Sequence, residues 1–230
     1  EPLAPYAVRG VLWYQGESNS SQLDVAQNYD LMLQALISGW RARWKQERMP
    51  FYFVQLPCWD RGEYWPWTRQ CMLNVSRIAP DVGMVVTADF GDRTVIHPPE
   101  KREVGIRLAN SALANVYSRP RPWRGPLLES AVREGSALRL KFDTGGAPLK
   151  LKGSAWNDLE LAGSDGAFHP ATAAVSGSEA TVSCPQVQHP TAVRYGWKPV
   201  FEPTLFNRDG LPASPFNYCV DDGGKLSPVQ

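Results

Sequence analysis

The chain has 230 residues, of which 43% are hydrophobic and 20% are charged, and its formal net charge is +1. This composition is typical of a folded globular protein with one large domain or two modest ones. No basic run stands out, so nucleic acid is not an expected partner. No apolar stretch approaches the roughly 20 residues that span a bilayer, so no membrane segment is expected either.

The cysteines give little support for a metal site. Cys58, Cys71, Cys184 and Cys219 contain no CxxC pair, and the chain has only three histidines. A structural zinc site is therefore not indicated, and we expect no metal and no other cofactor. A Cys58–Cys71 disulfide in an oxidising compartment and unpaired buried thiols are both compatible with the spacing.

The first half of the chain alternates strand and helix patterns. Strands are predicted over 8–14, 50–57 and 82–90, and helices over 24–44, 67–79 and 98–117. Asp24 is the expected N-cap of the first helix. Three successive strand–helix units predict a parallel sheet with right-handed crossovers. Three strands are few for a sheet covered on both faces, so we expect further strands upstream of these residues.

In the second half of the chain, hydrophobic residues recur at every second position. Leu138, Leu140 and Phe142 alternate with polar residues, and similar short runs follow, separated by Gly, Ser and Asp. This pattern predicts a small antiparallel, sandwich-like β domain over 127–197, after an α/β domain over 1–126. The tail, 198–230, is rich in Pro, Gly and Asn and is predicted to form an irregular strap.

Two polar clusters follow predicted strands. After the first strand come Gln15, Gly16, Glu17 and Asn19, and after the third come Asp89, Asp92 and His97. Ligands of such sheets bind beyond the carboxyl ends of the strands. A glutamine can donate to an oxyanion, a glycine permits close approach of a reacting group, and a histidine with a carboxylate partner can act as general base. These side chains could together assist a hydroxyl nucleophile in acyl transfer.

The same residues also have structural interpretations. Asp92, beside Gly91, could be a turn residue, and Glu17 and Asn19 could begin a helix. A nucleophile is not evident, because neither a GxSxG elbow nor an SxxK motif occurs. Nothing in the sequence around Ser18 indicates the strained turn that would present it as a nucleophile.

Three blocks of the sequence resemble those of a known family. "RGVLWYQGESN", "TADFGDRTVIHPPEKREVGIRLA" and "VRYGWKP" with "NRDGLPASPF" are similar to blocks of the sialate O-acetylesterases, in the SGNH-hydrolase superfamily. The resemblance implies a partial doubly wound parallel sheet, of the SGNH or flavodoxin-like kind. It also implies a serine-type esterase that removes O-acetyl groups from sialic acid or related sugars, in a secreted, periplasmic or lysosomal location.

The resemblance assigns roles to individual residues. His97 matches the catalytic base, Gln15 and Gly16 match the oxyanion block, and Glu17 matches a glutamate in or near the triad. The acidic partner is open, because Thr94 stands where the superfamily commonly has Asp. Glu17 is preferred, then Asp92, with Asp89 or a backbone carbonyl as further possibilities. The substrate-binding set is Gln15, Gly16, Asn19 and Asp89.

The family's nucleophilic serine lies in a block upstream of anything in these residues. The resemblance therefore implies a partner, namely an upstream segment or chain that carries this serine, in addition to the O-acetylated sugar substrate. Two other interpretations stay open. The substrate could be acetylated xylan or another plant glycan, or the chain alone could be a non-catalytic, sugar-binding or structural piece.

Overall fold

The computed structural model describes residues 3, 4 and 6–229. They form two compact units, Glu1–Trp123 and Arg124–Gln230. The boundary lies three residues before the expected one. Within the described residues, no helix combines the length and apolarity that crossing a membrane requires.

The first unit alternates strands and helices around a parallel sheet. Its elements are β1 (Val11–Trp13), α1 (Leu23–Gln27), α2 (Tyr29–Trp44), β2 (Phe51–Gln55), α3 (Trp65–Ile78), β3 (Val82–Val86) and α4 (Arg102–Asn115). The strands pair in the order β1-β2-β3, and both pairings are parallel. The predicted α/β class with a parallel sheet is therefore confirmed.

Both faces of this sheet are covered, as the continuous apolar strands require. On one face, strand side chains form a buried cluster with α4, comprising Tyr52, Val54, Val85, Val104 and Leu108. On the other face, the ring centroid of Phe51 lies 6.3 Å from those of both Trp13 and Trp40. Helices α2 and α3 lie on this second side.

The predicted helix over 24–44 is divided in two. Asn28 stands between α1 and α2 with ψ near 14°, outside helical geometry. The residue before α1 is Gln22, and Asp24 lies inside the first turn, so its assignment as N-cap was wrong. At this position its carboxylate still interacts favourably with the helix dipole.

The second unit is entirely antiparallel. Its strands are β4 (Leu127–Glu134), β5 (Ala137–Asp143), β6 (Leu149–Leu151), β7 (Leu159–Ala162), β8 (Phe168–Pro170), β9 (Thr172–Ser176), β10 (Glu179–Ser183), β11 (Ala192–Tyr195), β12 (Leu205–Asn207), β13 (Phe216–Val220) and β14 (Leu226–Pro228). They form sheets β4-β5-β10-β9 and β14-β13-β11-β7-β8 and a small ladder β12-β6. Phe142 of one large sheet meets Phe216 of the other, with ring centroids 6.4 Å apart.

Residues 198–230 differ from the expected irregular strap. They contain β12, β13 and β14, and β13 lies between β11 and β14 in the five-stranded sheet. Phe216, Tyr218 and Val220 alternate along β13 and are all buried. Burial of this alternating set outweighs the turn-forming composition of the flanking sequence.

All four cysteines are free thiols, so the Cys58–Cys71 disulfide is not formed. The Cys58 thiol donates to the Ala88 carbonyl and the Cys71 thiol to the Ala26 carbonyl, each over 3.4 Å. Burial is the main cause that raises the pKa of Cys71 to about 11. Cys219 is the exposed member of the four.

We expect a thiol reagent such as Ellman's reagent to modify Cys219 rapidly in the native chain, because burial protects the other thiols. Absorbance of the released chromophore should indicate one reactive thiol in the native chain and four after unfolding. The Cys219→Ser variant is the control and should show none before unfolding. Detection of only two thiols after unfolding without reductant would contradict the free-thiol arrangement.

Candidate active site

The loops that follow β1 and β3 leave the same edge of the sheet, because the three strands are parallel. The segment that follows β2 lies close to both loops. A Cβ placed on Gly16 would lie 3.5 Å from Leu56 Cδ1, and one on Gly91 would lie 2.9 Å from Pro57 Cβ. The two polar clusters therefore flank the segment that follows β2.

A buried arginine fixes that segment. Arg69 of α3 is 1% exposed and donates from Nε to the Leu56 carbonyl over 2.9 Å and from Nη2 to the Pro57 carbonyl over 2.6 Å. The Trp65 indole donates to the same Pro57 carbonyl over 2.7 Å. Loss of solvation lowers the pKa of the Arg69 guanidinium. The sequence analysis missed Arg69. Its position in a predicted helix with apolar spacing was the one indication that this arginine is buried.

The Gln15 amide is held in one orientation. Its Nε2 donates to Asn19 Oδ1 over 2.6 Å, and the Tyr29 hydroxyl lies 3.1 Å from both Gln15 Oε1 and the Gln15 carbonyl. Gln15 and Asn19 are thus brought together. The second Nε2–H makes no hydrogen bond to a described residue, so it can donate to a ligand. Tyr29 lies within the helix predicted over 24–44, and the sequence analysis did not recognise its hydroxyl as part of the site.

Gly16 is buried in a conformation that favours glycine, with φ +143°. A Cβ there would lie 2.8 Å from Met72 Cε. The Gly16 carbonyl accepts from the Ser20 hydroxyl over 3.0 Å, and Ser20 Oγ also lies 2.8 Å from Thr68 Oγ1. Ser18 begins a 3-10 turn, Ser18–Ser21, and is exposed. The turn is thus anchored through Ser20, and no positive φ distinguishes Ser18.

Glu17 supplies negative charge beside two tyrosines. Burial is the largest cause that raises the pKa of Tyr14 to about 12, and the Glu17 carboxylate adds to it. Burial likewise raises the pKa of Tyr29 to about 12, with a smaller contribution from Glu17. Both phenols therefore remain protonated near neutral pH, and Tyr29 keeps its hydrogen for Gln15.

Asp89 forms an ion pair with Arg107. Arg107 of α4 binds both of its carboxylate oxygens, with Nη1–Oδ1 at 2.8 Å and Nη2–Oδ2 at 2.6 Å. The two side chains are 18% and 9% exposed. Arg107 also donates to the Val86 carbonyl over 2.5 Å and lies over the Phe90 ring. Asp89 thus ties the exit of β3 to α4, and Arg107 is a second residue that the sequence analysis missed.

Asp92 forms a turn. Its Oδ1 accepts from the Thr94 hydroxyl and the Thr94 backbone N–H, each over 2.7 Å, and from the Val95 N–H over 3.2 Å. The Thr94 hydroxyl, followed by these backbone groups, holds the pKa of the Asp92 carboxyl below its usual value. The turn interpretation of Asp92 therefore describes its contacts in this structure.

His97 is exposed and makes no hydrogen bond to a described residue. None of the three candidate carboxylates is bonded to it here. The segment that follows it does reach the exit of β1, because Lys101 Nζ lies 5.0 Å from the centroid of the Tyr14 ring. Among the described residues, no group of three or more His, Cys, Asp or Glu side chains is placed to hold a metal ion.

A cavity of about 170 Å³ lies beside the Gln15–Asn19 pair, on the side of α2. Its apolar walls include Met32, Leu33 and Leu36. The site thus combines the oriented Gln15 amide, the Gly16 backbone and a small apolar cavity. The segment that contains His97 leaves the same edge of the sheet. Such a combination can bind the carbonyl group of an ester and polarise it.

Comparison with known proteins shows which families the chain resembles. Residues 2–114 match the family described as carbohydrate esterase, sialic acid-specific acetylesterase. The sialate O-acetylesterase of Rattus norvegicus is 33% identical over 168 residues, which cover 62% of this chain and 30% of that protein. The sialate O-acetylesterase of Mus musculus is 32% identical over 166 residues, with the same coverage.

A solved structure extends the similarity to both units. The crystal structure of a carbohydrate acetylesterase from Xanthomonas citri aligns with a TM-score of 0.89 at 37% identity, over 94% of this chain and 51% of that chain. These findings confirm the resemblance predicted from the three sequence blocks. The chain spans 30% of the length of the curated relatives and about half of the bacterial acetylesterase.

We expect Gly16→Ala to lower the free energy of unfolding by about 1–3 kcal/mol, because the side chain would be strained at positive φ and would displace Met72. Urea denaturation followed by circular dichroism measures the change. Gly39→Ala, in α2 with open space around it, is the matched control and should raise stability by up to about 1 kcal/mol. Equal effects of the two substitutions would contradict the role given to Gly16.

We expect Asp89→Asn to lower the free energy of unfolding by about 2 kcal/mol or more, because it leaves the buried Arg107 guanidinium without its counter-charge. Asp92→Asn is the control and should have a much smaller effect, since an exposed asparagine can form the same turn. Denaturant titration of both variants gives the comparison. A larger loss of stability for Asp92→Asn would reverse the assignment.

Proposed function

We propose that this chain, in which residues 2–114 match the sialic acid-specific acetylesterase family, forms part of a serine-type carbohydrate O-acetylesterase. Its proposed substrates are O-acetyl esters on sialic acid. The observation that carries the proposal is the oriented Gln15–Gly16 pair at the sheet edge from which the His97 segment also leaves. A secreted, periplasmic or lysosomal location stays a prediction.

The proposed reaction proceeds through an acyl-enzyme. A serine hydroxyl attacks the acetyl carbonyl carbon while His97 accepts its proton. The Gln15 Nε2–H and the Gly16 N–H stabilise the oxyanion, and His97 returns the proton to the departing sugar oxygen. Water then attacks the acyl-enzyme carbonyl while His97 accepts a proton from that water. His97 returns this proton to the serine oxygen as the serine–acetyl bond breaks, and the acetic acid released ionises to acetate. One oxyanion donor of this kind contributes about 10²–10³-fold to the rate.

Glu17 is the preferred partner of His97. Asp89 has both carboxylate oxygens bound by Arg107, and Asp92 Oδ1 is engaged in its turn. Glu17 accepts no side-chain hydrogen bond from a described residue and is partly exposed. It is therefore the candidate whose two carboxylate oxygens both accept no hydrogen bond from the described residues, whereas Asp92 has only Oδ2 left.

The nucleophile is proposed to come from a segment outside these residues, docked along β1. Within the described part of the chain, β1 pairs with β2 alone. Leu12 in that strand is 53% exposed. A groove of about 200 Å³ runs beside it and is lined in part by Val11, Val116 and Tyr117. An exposed strand edge with apolar neighbours favours pairing with a further strand.

We expect the 230-residue chain alone to hydrolyse p-nitrophenyl acetate no faster than buffer, because the nucleophile is supplied from elsewhere. Fusion to the half of the Xanthomonas citri acetylesterase that this chain does not cover should give acetate release. In that fusion, His97→Ala should lower kcat by at least about 10³-fold and Gln15→Ala by about 10²-fold. His189→Ala, an exposed histidine of the second unit, is the control and should leave kcat unchanged.

Hydrolysis by the chain alone that His97→Ala abolishes would place the nucleophile within these residues and end the divided-site proposal. If the fusion folds, as judged by circular dichroism, and is inert, the non-catalytic alternative is supported instead. Acetate release from 9-O-acetylated sialic acid should exceed that from acetylated xylose, and the reverse order would favour the plant-glycan alternative.

A further inference from the structure

A second pocket is formed entirely by residues of the second unit. It has a volume of about 340 Å³ and lies against β7, β8 and β11. This volume falls in the roughly 300–1,000 Å³ range of small-molecule sites. Glu160 and Arg194 line this pocket. They alternate along β7 and β11 with the buried Leu159, Leu161 and Tyr195. None of these residues belongs to the candidate active site.

An ion pair between Arg194 and Glu160 lines the pocket. Arg194 and Glu160 face each other across β11 and β7, joined by Nε–Oε2 at 2.7 Å and Nη2–Oε1 at 2.9 Å. The guanidinium also lies 4.0 Å from the centroid of the Phe168 ring. About three-quarters of each charged side chain is buried, with 25% and 26% exposed. A guanidinium has five N–H groups, so three remain after this pair and can donate to a ligand.

The rim carries a second ion pair, between Lys198 and Asp158. Asp158 has φ +56°, and its carbonyl accepts from the Gly196 N–H over 2.9 Å, which fixes the turn that presents it. Each cation that lines the pocket therefore has its own carboxylate, and the four charges sum to zero. An anionic ligand would have to compete with these carboxylates, so the pocket favours a neutral ligand with many hydroxyl groups.

Apolar surface completes the lining. Trp197, which is partly buried, and Pro170 both contribute to the wall. One face of a pyranose ring presents C–H groups that pack on an indole, and its edge presents hydroxyls that both donate and accept. We infer that this pocket binds one ring of a neutral saccharide, packed against Trp197, with adjacent hydroxyls bonded to the Arg194–Glu160 pair. The inference is independent of the proposed esterase function.

Nuclear magnetic resonance of the ¹⁵N-labelled chain tests this inference. The Trp197 indole N–H signal is identified as the one lost in Trp197→Phe. Xylobiose, N-acetylgalactosamine and N-acetylneuraminic acid are each added to about 10 mM, which fills nine-tenths of a site with a Kd of about 1 mM. We expect the two neutral sugars to shift the Trp197 signal saturably. N-acetylneuraminic acid should bind at least tenfold more weakly.

The Trp197→Ala and Glu160→Gln variants should each weaken binding of the neutral sugars by about tenfold or more. Because Trp197→Ala lacks the indole signal, binding to this variant is followed through the backbone N–H signal of Gly196 beside the pocket. Glu134→Gln breaks a similar but more exposed pair with Arg139 in the other sheet and should bind as the parent chain does. Unchanged signals elsewhere show that each variant is folded. No shift with either neutral sugar, tighter binding of the acidic sugar, or full binding by Glu160→Gln would overturn the inference.

Discussion

The buried Arg69 guanidinium fixes the point around which the candidate active site is arranged. It holds the Leu56 and Pro57 carbonyls directly beyond β2, while the Gln55 side chain donates to the Arg69 carbonyl over 3.0 Å. Buried carbonyls outside regular secondary structure are costly unless they accept hydrogen bonds. By donating to them, Arg69 stabilises the buried segment that follows the central strand, against which the loops after β1 and β3 both pack.

Three carboxylates near the end of β2 have different environments. Asp89 is neutralised by Arg107 and joins a strand to a helix, Asp92 closes a turn, and Glu17 is left with a partly exposed carboxylate beside two protonated phenols. These environments differ because each carboxylate accepts hydrogen bonds from a different set of donors. A chemical role for Glu17 is compatible with its contacts, whereas the same role for Asp89 would require an ion pair to break.

The sequence was sufficient to predict those structural features that depend on local periodicity. The three parallel strands follow from continuous apolar runs, and the Gln15–Asn19 contact lies within a single turn of chain. The sequence could not indicate that Asp89 is bound by Arg107, because the partners are 18 residues apart and only tertiary packing joins them. The break at Asn28 was hidden by an apolar spacing that continues across it. The strands after 198 were hidden because Pro and Gly surround short apolar alternations.

The position of β1 also bears on how the chain behaves at high concentration. Among the residues that the structure describes, no strand pairs with the outer edge of β1. This edge offers its hydrogen-bonding groups to any extended polypeptide, including another copy of the chain. The strand is only three residues long, and Arg9 stands just before it, so like charges would oppose the approach of two copies. The short length of β1 and the charge beside it therefore discourage self-assembly along this edge.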